Sequence, residues 1–181
     1  GQPKQSSIPF PPTRSRSCSK LLVFVHVHVH ESFSYPFGIR RLLTRKPTSG
    51  ISPLMYRGLK IAAVIPAYNE ERGVRAVLRR VQAVFRENSI EGEIILVDDC
   101  SRDRTVEVAR SLGIRVIALP ENRGYGANQK MCYDEALRAG ADIVVMAHPD
   151  YQYDSSLVPF FTGFVQHGTC DVMLGSRIRT R

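Results

Sequence analysis

From Lys60 onward, short unbroken apolar runs alternate with longer stretches in which apolar residues recur every three or four positions. Residues 61–65 form the first run, closed by Pro66. A run with no polar alternation predicts a strand covered on both faces, as in a parallel sheet. Glu70 and Glu71 follow, and then Val74, Val77, Leu78, Val81, Val84 and Phe85 mark one helical face. Acids in a first turn suit the positive end of a helix dipole. Residues 94–97 predict a second strand that ends at Asp98-Asp99. Ser101 or Asp103 caps the next helix, which carries Val106, Ala109 and Leu112 and stops at Gly113. Residues 114–119, closed by Pro120, are a third strand, and a loop at 121–126 leads into a helix bearing Ala127, Met131 and Leu137, ended by Gly140. Residues 143–147 are a fourth strand, followed by His148-Pro149-Asp150. The last helix runs from about Ser155 to His167, with Pro159 tolerable only in its first turn, and residues 172–174 predict a short fifth strand.

Strand–helix alternation of this kind implies an α/β fold with a mostly parallel sheet, right-handed crossovers and flanking helices. Tyr68-Asn69-Glu70, Asp98-Asp99, Asn122-Arg123-Gly124 and His148-Pro149-Asp150 each follow a predicted strand. In a parallel sheet they share the carboxyl edge, where open α/β folds bind ligands. One polar cluster after a strand is ordinary turn chemistry; four on one edge, acids included, predict a site.

Charge changes the picture for only part of the chain. The formal charge is +8, yet residues 1–54 hold eight Lys or Arg and one acid, Glu31, leaving residues 55–181 with 17 basic and 16 acidic side chains. The patterned part is nearly neutral and has no electrostatic footprint for nucleic acid. Residues 1–54 are rich in Pro, Ser and Arg and lack a sustained period, which predicts a disordered, low-complexity extension ahead of a domain at 55–181. Residues 21–25 are apolar but too short for a signal-peptide core, and the composition also resembles an organellar transit peptide. The Val-His alternation at 25–30 would set His26, His28 and His30 on one face of a strand; with no carboxylate or Cys to complete a metal site, a repeat without function is the simpler reading. Met55 opens the first patterned segment and reads as the true start, with the residues before it an upstream extension of the gene. Cys18, Cys100, Cys132 and Cys170 are widely spaced, so neither a disulfide framework nor a zinc site follows, and a reducing, cytoplasmic setting is the default. No apolar run reaches the roughly 20 residues that span a bilayer.

The first strand–helix turn, Pro66-Ala67-Tyr68-Asn69-Glu70-Glu71, lacks the G-x-G-x-x-G of dinucleotide oxidoreductases, and the chain has no P-loop. Its site residues suit a nucleoside diphosphate instead. Tyr68 can stack on a base, carboxylates after the second strand can accept from a base N–H or a ribose diol, and a carboxylate after the fourth can hold a divalent cation against the phosphates. Asp98 or Asp99 as a helix cap, residues 122–126 as an ordinary turn and Tyr68 as a packed surface aromatic are the plainer alternatives.

Residues 64–71, Ile95-Leu96-Val97-Asp98-Asp99-Cys100-Ser101 with Asp103 and Thr105, and Asn122-Arg123-Gly124-Tyr125-Gly126 closely resemble glycosyltransferase family 2. The nearest branch is the one typified by dolichol-phosphate mannose synthases, and the similarity runs from about Lys60 to Arg177. It implies a GT-A, Rossmann-like fold and a UDP-, GDP- or dTDP-linked sugar donor, with Mn²⁺ or Mg²⁺ as cofactor. By position, Pro66, Tyr68 and Glu70 would line the nucleoside pocket, Asp98 and Asp99 would contact base and ribose, and the loop 122–126, with Asn122 and Gly124, would lie near the diphosphate and sugar. The family's Asp-x-Asp after the fourth strand here reads His148-Pro149-Asp150, so Asp150 would ligate the metal with support from Gln152. His148 is either a ligand or a turn residue, and as a ligand it would favour Mn²⁺ over Mg²⁺. The family also implies inverting transfer to a lipid-phosphate or saccharide acceptor, at the cytoplasmic face of a membrane when the acceptor is a lipid. The general base and acceptor half would follow Arg181, so the chain reads as truncated at its carboxyl end. The alternative is a nucleotide-binding or regulatory α/β domain without transfer activity.

Overall fold

The apolar runs at 61–65 and 143–146 become strands buried on both faces, while the run at 115–118 forms a half-exposed edge strand. The computed structural model describes residues 21–24, 58–150 and 154–175. In chain order these form β1 (Leu21–Phe24), β2 (Ile61–Ala67), α1 (Glu71–Glu87), β3 (Gly92–Asp98), α2 (Thr105–Ser111), β4 (Arg115–Ala118), α3 (Tyr125–Arg138), β5 (Ile143–Met146), a 3₁₀ turn (Ser155–Leu157) and α4 (Val158–Gln166). The strands make one parallel sheet in the order β1-β5-β2-β3-β4.

Alternate side chains of β2 divide between two cores. Ile61, Ala63, Ile65 and Ala67 belong to a cluster with Val74, Leu78 and Val81 of α1, Ala109 of α2 and Val158 and Val165 of α4. Ala62 and Val64 belong to a second cluster with Cys132 and Ala136 of α3, Ile95, Val97, Val144 and Met146. The sheet therefore lies between α1, α2 and α4 on one face and α3 on the other, the parallel sheet with flanking helices that the sequence predicts.

Three elements depart from the sequence reading. β2 continues through Pro66 to Ala67, where Pro66 pairs in register with Val97; a parallel strand uses alternate N–H groups on each side, so one proline can be carried. Residues 172–174 do not form a strand: only Leu174 makes an isolated bridge, and both Val172 and Leu174 are exposed. Three residues without a covered face gain too little burial to hold a ladder. The sequence also assigns Leu21–Phe24 to a disordered extension, but the structure pairs them residue for residue with Ile143–Met146. An apolar tetrapeptide can occupy the open edge of β5, whose backbone groups would otherwise lack partners. The other residues of 1–57, with Cys18, His26, His28, His30 and Met55, lie outside the described residues, as do Gln152 and Arg181.

From β2 the chain steps outward to β3 and β4, then returns to place β5 on the other side of β2. The switch point lies between β2 and β5, and a crevice opens there at the carboxyl ends of the strands.

Candidate functional site

Two turns at this edge use left-handed backbone at residues other than glycine: Asn69 (φ 56°) after β2 and Cys100 (φ 63°) after β3. Asn adopts this region more readily than most residues; Cys does so rarely. Mutual hydrogen bonds hold both turns. Asn69 N donates to Ser101 Oγ (2.8 Å), Arg102 N to Asn69 Oδ1 (2.8 Å), Glu70 N to Thr105 Oγ1 (2.8 Å) and Glu71 N to Asp103 Oδ2 (3.0 Å). Asp103, one of the two residues expected to cap α2, also accepts from Thr105 N at 3.0 Å. The β2 and β3 loops thus form one rigid body.

Asp98 and Asp99 are both buried, each 2% exposed. Asp98 closes its own turn, accepting from Ser101 N (2.9 Å) and from Ser101 Oγ. Asp99 reaches forward to the loop before α3, where Oδ1 accepts from Arg123 N (2.8 Å) and Oδ2 from Gly124 N (2.9 Å). Asn122 Nδ2 returns a bond to the Asp99 carbonyl at 3.1 Å. Gly124 sits at φ 80°, a conformation that suits glycine, and from there the chain enters α3.

These elements surround a cavity of about 300 Å³ at the switch point. Pro66, Tyr68, Glu70, Asp99, Asn122, Gly124, His148 and Asp150 all line it. Eight of the residues named from the sequence therefore converge; Asp98 lies behind the wall. A broader groove of about 780 Å³, at the opposite edge of the sheet beside Phe85, Arg86, Gly92 and Arg115, includes none of these residues.

Electrostatics mark the mouth of the cavity. Burial raises the Glu70 carboxyl above its ordinary range, and the negative charges of Asp150 and Asp103 raise it further. Tyr125 is raised first by burial and then by Asp150. Tyr125 Oη lies 3.0 Å from His148 Nε2, and Gln129 Nε2 donates to the same hydroxyl at 2.6 Å. The negative charge of Asp150 opposes ionisation of Glu70 across a polar mouth, a repulsion that a bound cation would relieve. Among the described residues no three His, Cys, Asp or Glu side chains converge as a ready metal centre, so the protein would supply only part of a coordination sphere.

Sequence reasoning placed the loop that carries Tyr125 at the site but missed Asn128, which also lines the cavity. Asn128 carried a signal. It lies four residues before Cys132 and eight before Ala136 on the covered face of α3, a polar residue inside an apolar stripe.

The sequence profile of Glycosyl transferase family 2 matches residues 62–181. The undecaprenyl-phosphate 4-deoxy-4-formamido-L-arabinose transferase of Pseudomonas paraeruginosa is 35% identical over 103 residues, 55% of this chain and 30% of that protein. The dolichol-phosphate mannosyltransferase of Pyrococcus furiosus is 29% identical over 126 residues, 66% of this chain and 33% of that protein. The chain thus spans about a third of the length of these curated relatives. Among solved structures, glucosyl-3-phosphoglycerate synthase of Mycobacterium tuberculosis, in complex with Mn²⁺, UDP and glucosyl-3-phosphoglycerate, superposes with a TM-score of 0.53 at 24% identity, covering 63% of this chain and 42% of that one. The same enzyme has been solved with Mg²⁺ and UDP. At that identity the likeness establishes the fold. Among the described residues no helix is long and apolar enough to cross a membrane.

Proposed function

We infer the function from one premise: the chain belongs to glycosyltransferase family 2. It carries the donor-binding part of an enzyme that transfers a sugar from a nucleoside diphosphate to a lipid-phosphate or saccharide acceptor. The observation that carries this reading is the single cavity at the switch point, where loops after four strands bring together an aromatic ring, carboxylates and a glycine-opened helix.

Each residue has a definite task in this reading. Pro66, Tyr68 and Glu70 form the nucleoside wall, with the half-exposed Tyr68 ring available for stacking. Asp99 holds the loop at Arg123 and Gly124; a carboxylate has about four lone-pair sites, so it can also accept from a ribose hydroxyl or a base N–H. Asp98 fixes the turn that presents Asp99. Asn122 and Gly124 place the loop beside the diphosphate. Asp150, in electrostatic contact with Glu70, would hold a divalent cation, with diphosphate oxygens and water completing the sphere and Gln152 supporting it. His148 is already engaged with Tyr125 through Nε2. The cation, when bound, neutralises charge on the departing diphosphate.

The chemistry is a displacement at the anomeric carbon. An acceptor oxygen forms the new C–O bond as the bond to the nucleoside diphosphate breaks, and the electron pair leaves with the diphosphate, giving inversion. A hydroxyl acceptor needs a general base, whereas a lipid phosphate arrives as an anion. The relatives named for undecaprenyl-phosphate and dolichol-phosphate chemistry favour the second, and such an acceptor would bring the site to the cytoplasmic face of a membrane.

Incubating the full-length protein with labelled UDP-, GDP- and dTDP-sugars and polyprenyl phosphate or saccharide acceptors tests this. Label should pass from one donor to the lipid phase, and label that stays on the nucleotide donor, with lipid and saccharide acceptors alike, would refute it.

A further inference from the structure

Asn128, the fourth residue of α3, is 2% exposed and lines the donor cavity. Its Nδ2 donates to the carbonyl of Val97, the residue before Asp98, at 3.0 Å. That bond settles which end of the amide is which, because reversal would set two acceptor oxygens against each other. The remaining atom, Oδ1, is buried and has no hydrogen-bond partner among the described residues.

Packing alone does not account for this atom. The other covered positions of α3 are Cys132 and Ala136, which bring no hydrogen-bonding demand of comparable strength, and Glu135, whose carboxylate is paired with Arg115 and Arg138. A buried amide oxygen without a donor is unfavourable. Anchoring the Val97 carbonyl explains Nδ2 and leaves Oδ1 unexplained.

We propose that Asn128 Oδ1 is a specificity-determining acceptor in the donor site, taking a hydrogen bond from an N–H or O–H of the nucleoside or sugar. The inference rests on the nucleotide-sugar reading of the same cavity. The chemistry of the atom limits its ligand. Phosphate oxygens are acceptors and cannot satisfy it, while a base imide or amine, a ribose hydroxyl or a sugar hydroxyl can. A site built this way discriminates strongly, because a ligand lacking the donor leaves the oxygen unpaired in the complex.

The test is calorimetric titration of the full chain and its Asn128→Leu variant, in Mn²⁺, with UDP, GDP and inorganic pyrophosphate. The nucleotide that the wild type binds should bind the variant about fivefold or more weakly, while pyrophosphate affinity stays unchanged. Because leucine also abandons the Val97 carbonyl, a second measurement uses the wild type alone. The side-chain ¹⁵N–¹H amide signals of Asn128 should shift on adding the nucleotide and stay in place with pyrophosphate or Mn²⁺ alone. A shift with UMP or GMP assigns the donor to base or ribose, and a shift with glucose 1-phosphate assigns it to the sugar. Equal losses for pyrophosphate and nucleotide, or an amide signal unmoved by a nucleotide that binds, would reduce Asn128 to a scaffold residue and overturn the inference alone. Failure of the wild type to bind any of these ligands would instead overturn the nucleotide-site reading beneath it.

Discussion

The carboxylate of Asp99, at the end of β3, accepts the backbone N–H of Gly124, which opens α3, at 2.9 Å across 25 residues of sequence. With Arg123 N on its other oxygen at 2.8 Å, Asp99 ties the two loops that border the cavity. Both bonds are charge-assisted and Asp99 is buried. Asp99→Ala should therefore lower folding stability by about 3 kcal/mol, the worth of a charged hydrogen bond plus the desolvation of two orphaned N–H groups. Urea unfolding of the two proteins measures it. A change in nucleotide affinity with an unchanged urea midpoint would show that the clasp is incidental.

Glu70 offers a stability change of opposite sign. Its carboxyl is raised by burial, then by Asp150 and Asp103, so the folded state resists its ionisation. Ionised Glu70 thus costs stability at pH values above the ordinary glutamate range, and the cost vanishes once the group is protonated in both states. Glu70→Gln should melt higher than wild type at pH 7, converge with it below about pH 4, and bind a nucleotide–metal pair less well. A melting difference that persists unchanged at low pH would mean the gain comes from something other than charge.

How far this site could be read from the sequence depended on the kind of interaction. Strands β2 to β5 were visible because each contains a short run of apolar residues between helical stretches, and the site edge because polar clusters follow each run. Pairings between side chain and distant backbone were not. Nothing in Asp98-Asp99 distinguishes the residue that closes its own turn from the one that reaches Gly124, since the difference lies in where the loop before α3 arrives. Asn128 was hidden for the same reason, its anchor being a carbonyl 31 residues away. β1 was passed over although its four residues are apolar, because it stands alone in a Pro-, Ser- and Arg-rich stretch with no helical pattern beside it, and its partner β5 lies far along the chain.

Gly92 shows the same limit at the start of β3. A Cβ there would fall 1.9 Å from the carbonyl oxygen of Ile61 in β2, a backbone atom that cannot turn aside. Gly92→Ala should cost about 3 kcal/mol or more, since the two central strands must part to admit the methyl group. Thermal unfolding checks this, and a loss below about 1 kcal/mol would mean the strand end yields freely.

Cys132 predicts a pH dependence at the alkaline end. Burial against the sheet pushes its thiol up to about 12, although the Val97 backbone opposes the shift. The unfolded thiol ionises near pH 8.5 while the folded one stays neutral, so the unfolded state holds fewer protons above that pH. Its contribution to stability is complete below about pH 8.5 and declines by up to about 1.4 kcal/mol per pH unit above it. The stability advantage of wild type over Cys132→Ala should therefore shrink as pH rises from 8 to 10. Iodoacetamide should modify Cys132 only through unfolding, and rapid labelling of the native protein at pH 8 would contradict its burial.

The central claim is that the cavity between β2 and β5 binds a nucleoside diphosphate through a cation held at Asp150. Calorimetric titration of UDP and of GDP, with and without Mn²⁺, into the full-length protein and its Asp150→Asn variant decides it. The account predicts saturable, Mn²⁺-dependent binding of one nucleotide, weakened about tenfold or more by Asp150→Asn, which at that ratio corresponds to about 1.4 kcal/mol. Absence of binding by both nucleotides, or binding indifferent to Mn²⁺ and to Asp150→Asn alike, would contradict it.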